Sequence, residues 1–311
     1  MYEGHRIAAV VPALNEAPHI GDVLRRMPAF VDLIVLVDDA STDETAAAAE
    51  AVNDARVQVI RHPQRSGVGG ATVSGMQRAL EHAADIVVKV DGDGQMDPTR
   101  METLLVPLVR DGYDYVKANR FLDGRALRQM PMPRLIGNFA MTFLTKLASG
   151  YWHVFDPQNG YVAAKASALQ ALELPDLAKG FFFENDMLIH LNILNCRVKD
   201  VPLPAYYGNE NSSLRVKRIL VTFPFYLARG FCQRVWEKYM LRDFSPIALF
   251  WLLGFPLMAG GGVFGLLTWT HSWWSGHAAT TGTVMLSVLP FLLGFELILQ
   301  AIILEIRESP R

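Results

Sequence analysis

The sequence predicts an α/β fold, a mostly parallel sheet flanked by helices, continued by amphipathic interfacial helices and two transmembrane helices. Three observations carry that expectation. Short β-branched runs alternate with helical stretches from Ile7 to Arg110, the order that builds a parallel sheet covered on its faces. Acidic clusters follow the second and fourth of these runs, where buried strands surface at their carboxyl ends. Between Phe244 and Phe295 there is no Asp, Glu, Lys or Arg, whereas the N-terminal part is an ordinary charged mixture. Residues 1–213 therefore read as a globular domain, 214–243 as amphipathic juxtamembrane helices and 244–311 as a two-span hairpin with a short tail.

In order, Ile7 to Val11 is the first strand, stopped by Pro12, with Asn15 and Glu16 in the turn and a helix from Pro18 to Met27. Leu33 to Val37 is the second and runs into Asp38-Asp39-Ala40-Ser41-Thr42-Asp43-Glu44. Ser41 and Glu44 have capping-box spacing for the alanine-rich helix that follows. Asp38 and Asp39 precede that box, and a carboxylate at such a strand end can accept hydrogen bonds from a nucleobase or ribose. Val57 to Ile60 is a third strand, after which Ser66-Gly67-Val68-Gly69-Gly70 leads into a helix over 71–84. Thr72 stands where a dinucleotide fingerprint has its last glycine. The loop is then either a flexible entry or a set of backbone amides facing a diphosphate.

The fourth strand, Ile86 to Val90, ends in Asp91-Gly92-Asp93-Gly94-Gln95-Met96-Asp97-Pro98. Closely spaced carboxylates with an amide oxygen are hard ligands suited to Mg²⁺ or Mn²⁺, and Gly92 and Gly94 leave room for a phosphate. Asp97-Pro98 also has the composition of a helix start. Tyr113 to Asn119 is strand-like and delivers Arg120 to the same edge, ahead of a polar loop with Arg125, Arg128 and Arg134 in or beside it. A helix over 135–147 precedes the turn Asp156-Pro157-Gln158-Asn159-Gly160 and a strand from Tyr161 to Ala164. Phe181-Phe182-Phe183-Glu184-Asn185-Asp186 opens another helix; Glu184 and Asp186 either favour its positive end or position a reactant.

From Leu214 to Arg242, apolar clusters alternate with Arg215, Lys217, Arg218, Arg229, Arg234, Lys238 and Arg242, the pattern of helices lying in a membrane interface. Pro246 to Trp269 and Val284 to Leu304 are each long enough to cross a hydrocarbon layer. By the positive-inside rule the large N-terminal domain and the C-terminus are cytoplasmic. Glycines in the first span permit association with another copy. Glu296 inside the second span is a functional suspect unless it is paired or lies near an interface. The short apolar run before Pro12 is too brief for a signal peptide, so export of the domain is not expected. Cys196 and Cys232 match no metal or redox spacing and are expected as free thiols in a reducing compartment. A net charge of -2 suggests no nucleic-acid partner.

Together, Val10-Val11-Pro12-Ala13-Leu14-Asn15-Glu16, Val37-Asp38-Asp39-Ala40-Ser41-Thr42-Asp43, Asp91-Gly92-Asp93-Gly94-Gln95 and Asn119-Arg120 resemble the inverting nucleotide-sugar transferases of the GT-A fold, specifically the polyprenyl-phosphate glycosyltransferases. Asp156-Pro157-Gln158-Asn159-Gly160 and two C-terminal spans extend the likeness over nearly the whole chain. The resemblance implies transfer of one sugar, with inversion, from a GDP- or UDP-sugar to undecaprenyl or dolichyl phosphate at the cytoplasmic face of a membrane, a bacterial inner membrane by expectation. It implies that Pro12, Asn15, Glu16 and Asp39 hold the nucleoside and that Asp91 borders ribose and diphosphate. Asp91, Asp93 and Gln95 would hold Mg²⁺ or Mn²⁺, and Arg120 and Arg134, with Arg215 a third, would hold the lipid phosphate. Val68 stands where many relatives carry a lysine, and Gln233-Arg234-Val235-Trp236 lacks the Gln-x-x-Arg-Trp spacing of processive polysaccharide synthases. Two further readings remain: a transferase extending a lipid-linked saccharide at a hydroxyl, with Asp186 as base, and a non-catalytic membrane scaffold.

Overall fold

A computed structural model describes residues 1–121, 132–203 and 216–310; for 133, 134, 136 and 216–221 it describes the backbone alone. Arg125, Arg128 and Arg215 lie outside the described residues. The chain forms two compact units, Met1–Phe231 with Pro310–Arg311, and Cys232–Ser309. The change of unit, between Phe231 and Cys232, falls inside a helix.

In the first unit, strands β1 (Ile7–Ala13), β2 (Leu33–Asp38), β3 (Val57–Arg61), β4 (Ile86–Lys89), β5 (Tyr115–Asn119), β6 (Val162–Lys165) and β7 (Val198–Pro202) form one sheet in the order β3-β2-β1-β4-β6-β5-β7. β1 runs parallel to both β2 and β4, and β2 runs parallel to β3. β6 is antiparallel to β4 and β5, and β5 is parallel to β7. All seven residues of β1 and all six of β2 are buried. A strand alternates its side chains between faces, so both faces of this sheet must be covered.

They are. Ala8, Val10, Val35 and Val37 pack with Ala71, Met76, Phe183 and Leu188 on one face. Ile7, Ala9, Val11, Ile34 and Leu36 pack with Ile20, Leu24, Leu104 and Leu108 on the other. The covering helices are α1 (Ala17–Arg25), α2 (Thr45–Glu50), α3 (Val68–Glu81), α4 (Glu102–Arg110), α6 (Ala166–Gln170) and α7 (Phe183–Ile193), with α5 (Met132–Ser149) packed on α7. Gly75 sets the distance of α3 from the sheet, because an added Cβ would collide with the Val10 side chain. Overpacking such a contact costs about 1–3 kcal/mol.

Three local expectations are corrected. Ser41 and Glu44 form no capping box: α2 starts at Thr45 with no side-chain cap from Glu44, and Ser41 Oγ instead accepts from Asn15 N at 2.9 Å. The helix after the glycine loop begins at Val68, earlier than 71. β7 and α6 were not expected, being short and flanked by weak turn signals. Asp97 does serve a helix start, accepting from Thr99 N at 3.1 Å, and also pairs with Arg26 at 2.6 Å.

α8 (Val216–Arg234) crosses into the second unit and is followed there by a π-helical segment, Val235–Arg242. α9 (Pro246–Ser275) and α10 (Thr281–Glu308) are both long and apolar enough to cross a membrane. They pack as a hairpin whose backbones approach at glycines. A Cβ on Gly261 would strike Phe291 N and Ser287 O, and one on Gly294 would strike Met258 N and Gly254 O. Gly254, Gly261 and Gly265 therefore serve packing within the chain, whereas a Cβ on Gly260 would meet nothing within 4 Å. Arg234, read from sequence as part of a basic interfacial face, is instead 0% exposed and pairs with Glu305, also 0% exposed, at 3.1 Å. Trp251 Nε1 donates to the same carboxylate at 3.0 Å. Glu296 is paired within its helix, accepting from Gln300 Nε2 at 2.8 Å.

Candidate active site

Strand direction brings the expected residues to one edge. β2 and β4 flank β1 and both run parallel to it, so Pro12, Asp38-Asp39 and Asp91 emerge at the same end. β5 is antiparallel to β6, which is antiparallel to β4, so Arg120 emerges there too. The reversal of β6 places the turn that precedes it, Asp156 to Gly160, at that edge as well. In open α/β sheets this carboxyl edge is where ligands bind.

On the β1–β2 side the loops are knitted together. Gly92 N donates to Pro12 O at 3.3 Å and Asp39 N to Ala13 O at 2.9 Å. Asn15, with φ +58°, accepts from Thr42 N at 2.8 Å, and Glu16 N donates to Thr45 Oγ1 at 2.8 Å. Asp39 is buried and fully used: its carboxylate accepts from Ser66 N (2.7 Å), Ser66 Oγ (2.8 Å) and Gly67 N (2.7 Å), with His62 Nδ1 at 2.9 Å. Burial pushes this carboxyl up, yet the donors from Ser66, His62 and Gly67 outweigh it and hold it below its usual value. Asp39 thereby shapes the glycine loop. Ser66 and Gly67 amides are spent on Asp39, and Gly70 N on Lys179 O at 3.1 Å, which leaves those amides turned to protein partners.

On the β4 side, Asp91 and Asp93 sit on one loop with Gln95, whose N donates to Asp93 Oδ1 at 3.0 Å. Asp91 Oδ1 accepts from Lys89 Nζ at 2.6 Å. Lys89, 1% exposed, also reaches Gly160 O at 3.3 Å and Glu184 Oε1 at 3.4 Å. Burial pulls the ammonium down, but Asp91 and Glu184 outweigh it and keep it above the usual lysine value. Glu184 shifts up as well, chiefly from burial, against the attraction of Lys89. The 2.6 Å Lys89–Asp91 bond holds the ammonium charged.

At β5, the Arg120 guanidinium grips Asp156 in bidentate fashion. Burial raises the Asp156 carboxyl, but Arg120 and Lys117 bring it below its usual value. Lys117, also 1% exposed, donates to the Asp156 carbonyl and lies 3.8 Å from Asp200. Arg134 lies on α5, and its side chain is outside the described residues. Asp186 accepts from Ala178 N at 2.8 Å and lies 3.5 Å from His190 Nδ1; two positions beyond Glu184 on α7, it turns to a different side of the helix. Burial raises its carboxyl above the usual value.

Sequence reasoning missed Lys89, Lys117 and the partnership of Arg120 with Asp156. A signal existed. Each lysine interrupts an apolar strand, and lysine is almost never fully buried unless paired.

The donor set on the β4 loop suits a hard divalent ion. Asp91 and Asp93 offer carboxylates and Gln95 an amide, and among the described residues no three His, Cys, Asp or Glu side chains gather into a preformed cage. Mg²⁺ takes one or two carboxylates and completes its shell with water and substrate phosphates, and carboxylate and amide oxygens suit Mn²⁺ as well.

Solved structures share the fold. Glucosyl-3-phosphoglycerate synthase from Mycobacterium tuberculosis, crystallised with Mn²⁺, UDP and glucosyl-3-phosphoglycerate, matches with a TM-score of 0.55 over 74% of this chain and 80% of its own, at 24% identity. A UDP-N-acetylglucosamine–dolichyl-phosphate N-acetylglucosaminyltransferase from Methanococcus voltae is 31% identical over 70% of this chain and 92% of its own. An undecaprenyl-phosphate mannosyltransferase from Micrococcus luteus is 30% identical over 64% of this chain and 82% of its own. The model of glycosyl transferase family 2 matches residues 8–172, from β1 through the turn after α6, and so takes in every strand tip described above. With the sheet, its acidic edge and these relatives in agreement, the chain belongs to glycosyl transferase family 2 and is a glycosyltransferase.

Proposed function

We propose that this glycosyltransferase moves a single sugar from a GDP- or UDP-sugar to a polyprenyl phosphate, undecaprenyl or dolichyl, at the cytoplasmic face of its membrane, with inversion at the anomeric carbon. The observation that carries the reading is the meeting, on one sheet edge, of the Asp91–Asp93 loop and of Arg120. Relatives named for dolichyl-phosphate and undecaprenyl-phosphate acceptors support the acceptor class. Two membrane-length helices on the same chain suit a lipid acceptor.

Asn15, Glu16 and Asp39 frame the nucleoside side of the edge, with Asp39 acting through the loop it shapes. Asp91, Asp93 and Gln95 would hold Mg²⁺ or Mn²⁺, which when bound offsets the negative charge that develops on the leaving diphosphate. Arg120, held on Asp156 through Nε and Nη2, and Arg134 supply the positive charge for the acceptor phosphate. An ionised phosphate is already a nucleophile, so the residues on this side orient it and need not take its proton. Asp186, the base that a hydroxyl acceptor calls for, is held by Ala178 N.

The test is a donor panel of GDP- and UDP-sugars with polyprenyl phosphate and Mg²⁺ or Mn²⁺, read by product mass. A glycosyl phosphopolyprenol from one donor is expected. No glycolipid from any donor rejects the proposal, and transfer only to lipid-linked saccharides replaces it with the hydroxyl-acceptor reading.

A further inference from the structure

Lys89 lies in register with Val162 of β6, and so does Lys117 of β5 from the other side. The two lysines are equally buried, at 1% exposed, but their ammonium groups have different duties. Lys117 serves the Asp156 carbonyl. Lys89 has three acceptors on three elements: Asp91 on the loop after β4, Gly160 on the turn before β6 and Glu184 in the first turn of α7. An ammonium carries three N–H donors, so its capacity is filled by these groups. Gly160 is where this junction leaves no space. A Cβ there would collide with Lys89 Nζ and lie 2.9 Å from Asp91 Oδ2 and 3.4 Å from Glu184 Oε1.

We infer that Lys89 is a positioning residue for the donor site, a buried ammonium that fixes the Asp91 carboxylate to the turn before β6 and to the start of α7. The inference rests on the proposed role of Asp91 beside the donor diphosphate. Lys89 touches no reacting atom. It sets the direction in which Asp91 presents its second oxygen, and it ties the β4 loop to α7 through Glu184. Without it, Asp91, 27% exposed, has no protein anchor for Oδ1 and turns toward water. Donor binding then weakens, while the acceptor side, held by the separate Arg120–Asp156 pair, is unaffected.

The experiment is calorimetric titration of UDP and of GDP, each with Mn²⁺ and without acceptor, into the detergent-solubilised full chain, alongside the acceptor KM in turnover. Lys89→Met is expected to weaken nucleotide binding about tenfold or more, the scale seen when an outer partner of a metal ligand is removed. Gly160→Ala, which keeps every charge but displaces the ammonium and crowds Asp91 Oδ2, is expected to act in the same direction. Lys117→Met is expected to lower the thermal midpoint while leaving nucleotide affinity within about twofold, which separates positioning from general loss of a buried lysine. Wild-type affinity in a folded Lys89→Met overturns the inference; if that variant does not fold, wild-type affinity in Gly160→Ala overturns it. Failure of the wild type itself to bind either nucleotide with Mn²⁺ overturns the donor-site reading and this inference with it.

Discussion

Arg120 lies against Asp156 with Nε 2.7 Å from Oδ2 and Nη2 2.8 Å from Oδ1, a two-pronged contact between the tip of β5 and the turn that precedes β6. Asp156 is 3% exposed and Arg120 27% exposed, so the carboxylate depends on its partner more than the reverse. Asp156→Asn leaves the guanidinium facing a neutral amide, and we expect about 3 kcal/mol of lost stability, the low end for breaking a buried pair. Arg120→Lys cannot make both prongs and should raise the acceptor KM more than the donor KM. Equal donor and acceptor effects would remove Arg120 from the phosphate-binding role.

Asp39 supplies a pH signature. Its carboxyl is raised by burial but lowered further by Ser66, His62 and Gly67, so the folded value lies below the unfolded one. A depressed folded value gives stability that is complete above the unfolded value, about pH 4, and is lost as pH falls through the folded one. The stability gap between wild type and Asp39→Asn should be widest near neutrality and close below about pH 4. Urea unfolding in detergent at stepped pH measures it, and a gap independent of pH would contradict the donor network.

Asp93→Asn keeps the shape of the β4 loop but removes one hard ligand. The variant should retain the wild-type thermal midpoint and lose about 10²–10³ in kcat, the scale of removing a charge-stabilising group. EDTA should silence the wild type, with Mg²⁺ or Mn²⁺ restoring it. Full turnover in EDTA would remove the metal from the mechanism.

Arg234 and Glu305 offer a test in the second unit. Both are 0% exposed and 3.1 Å apart, and Trp251 shares the carboxylate. Glu305→Ala strands the guanidinium, and a loss of about 3–5 kcal/mol is expected. Arg234→Met with Glu305→Leu replaces the pair by apolar groups and should recover most of that loss. Thermal unfolding in detergent decides; a double variant no more stable than the single would show that charge balance is not what the pair supplies.

The sequence by itself determined the local and periodic features: β-branched runs ending in acids, helices between them and two uncharged spans of membrane length. These are set by side-chain period and turn chemistry within a few residues, so they can be read along the chain. The strand tips that carry Asp39, Asp91 and Arg120 were legible for the same reason. Only the tertiary structure decided that β6 runs backwards, that Lys89 joins Asp91 to Glu184, that Arg120 is matched to Asp156 and that Arg234 is buried on Glu305. Those partners lie 36, 71 and 95 positions apart for Arg120–Asp156, Arg234–Glu305 and Lys89–Glu184. Register and packing choose them, and a buried charge is tolerated only where such a distant partner arrives.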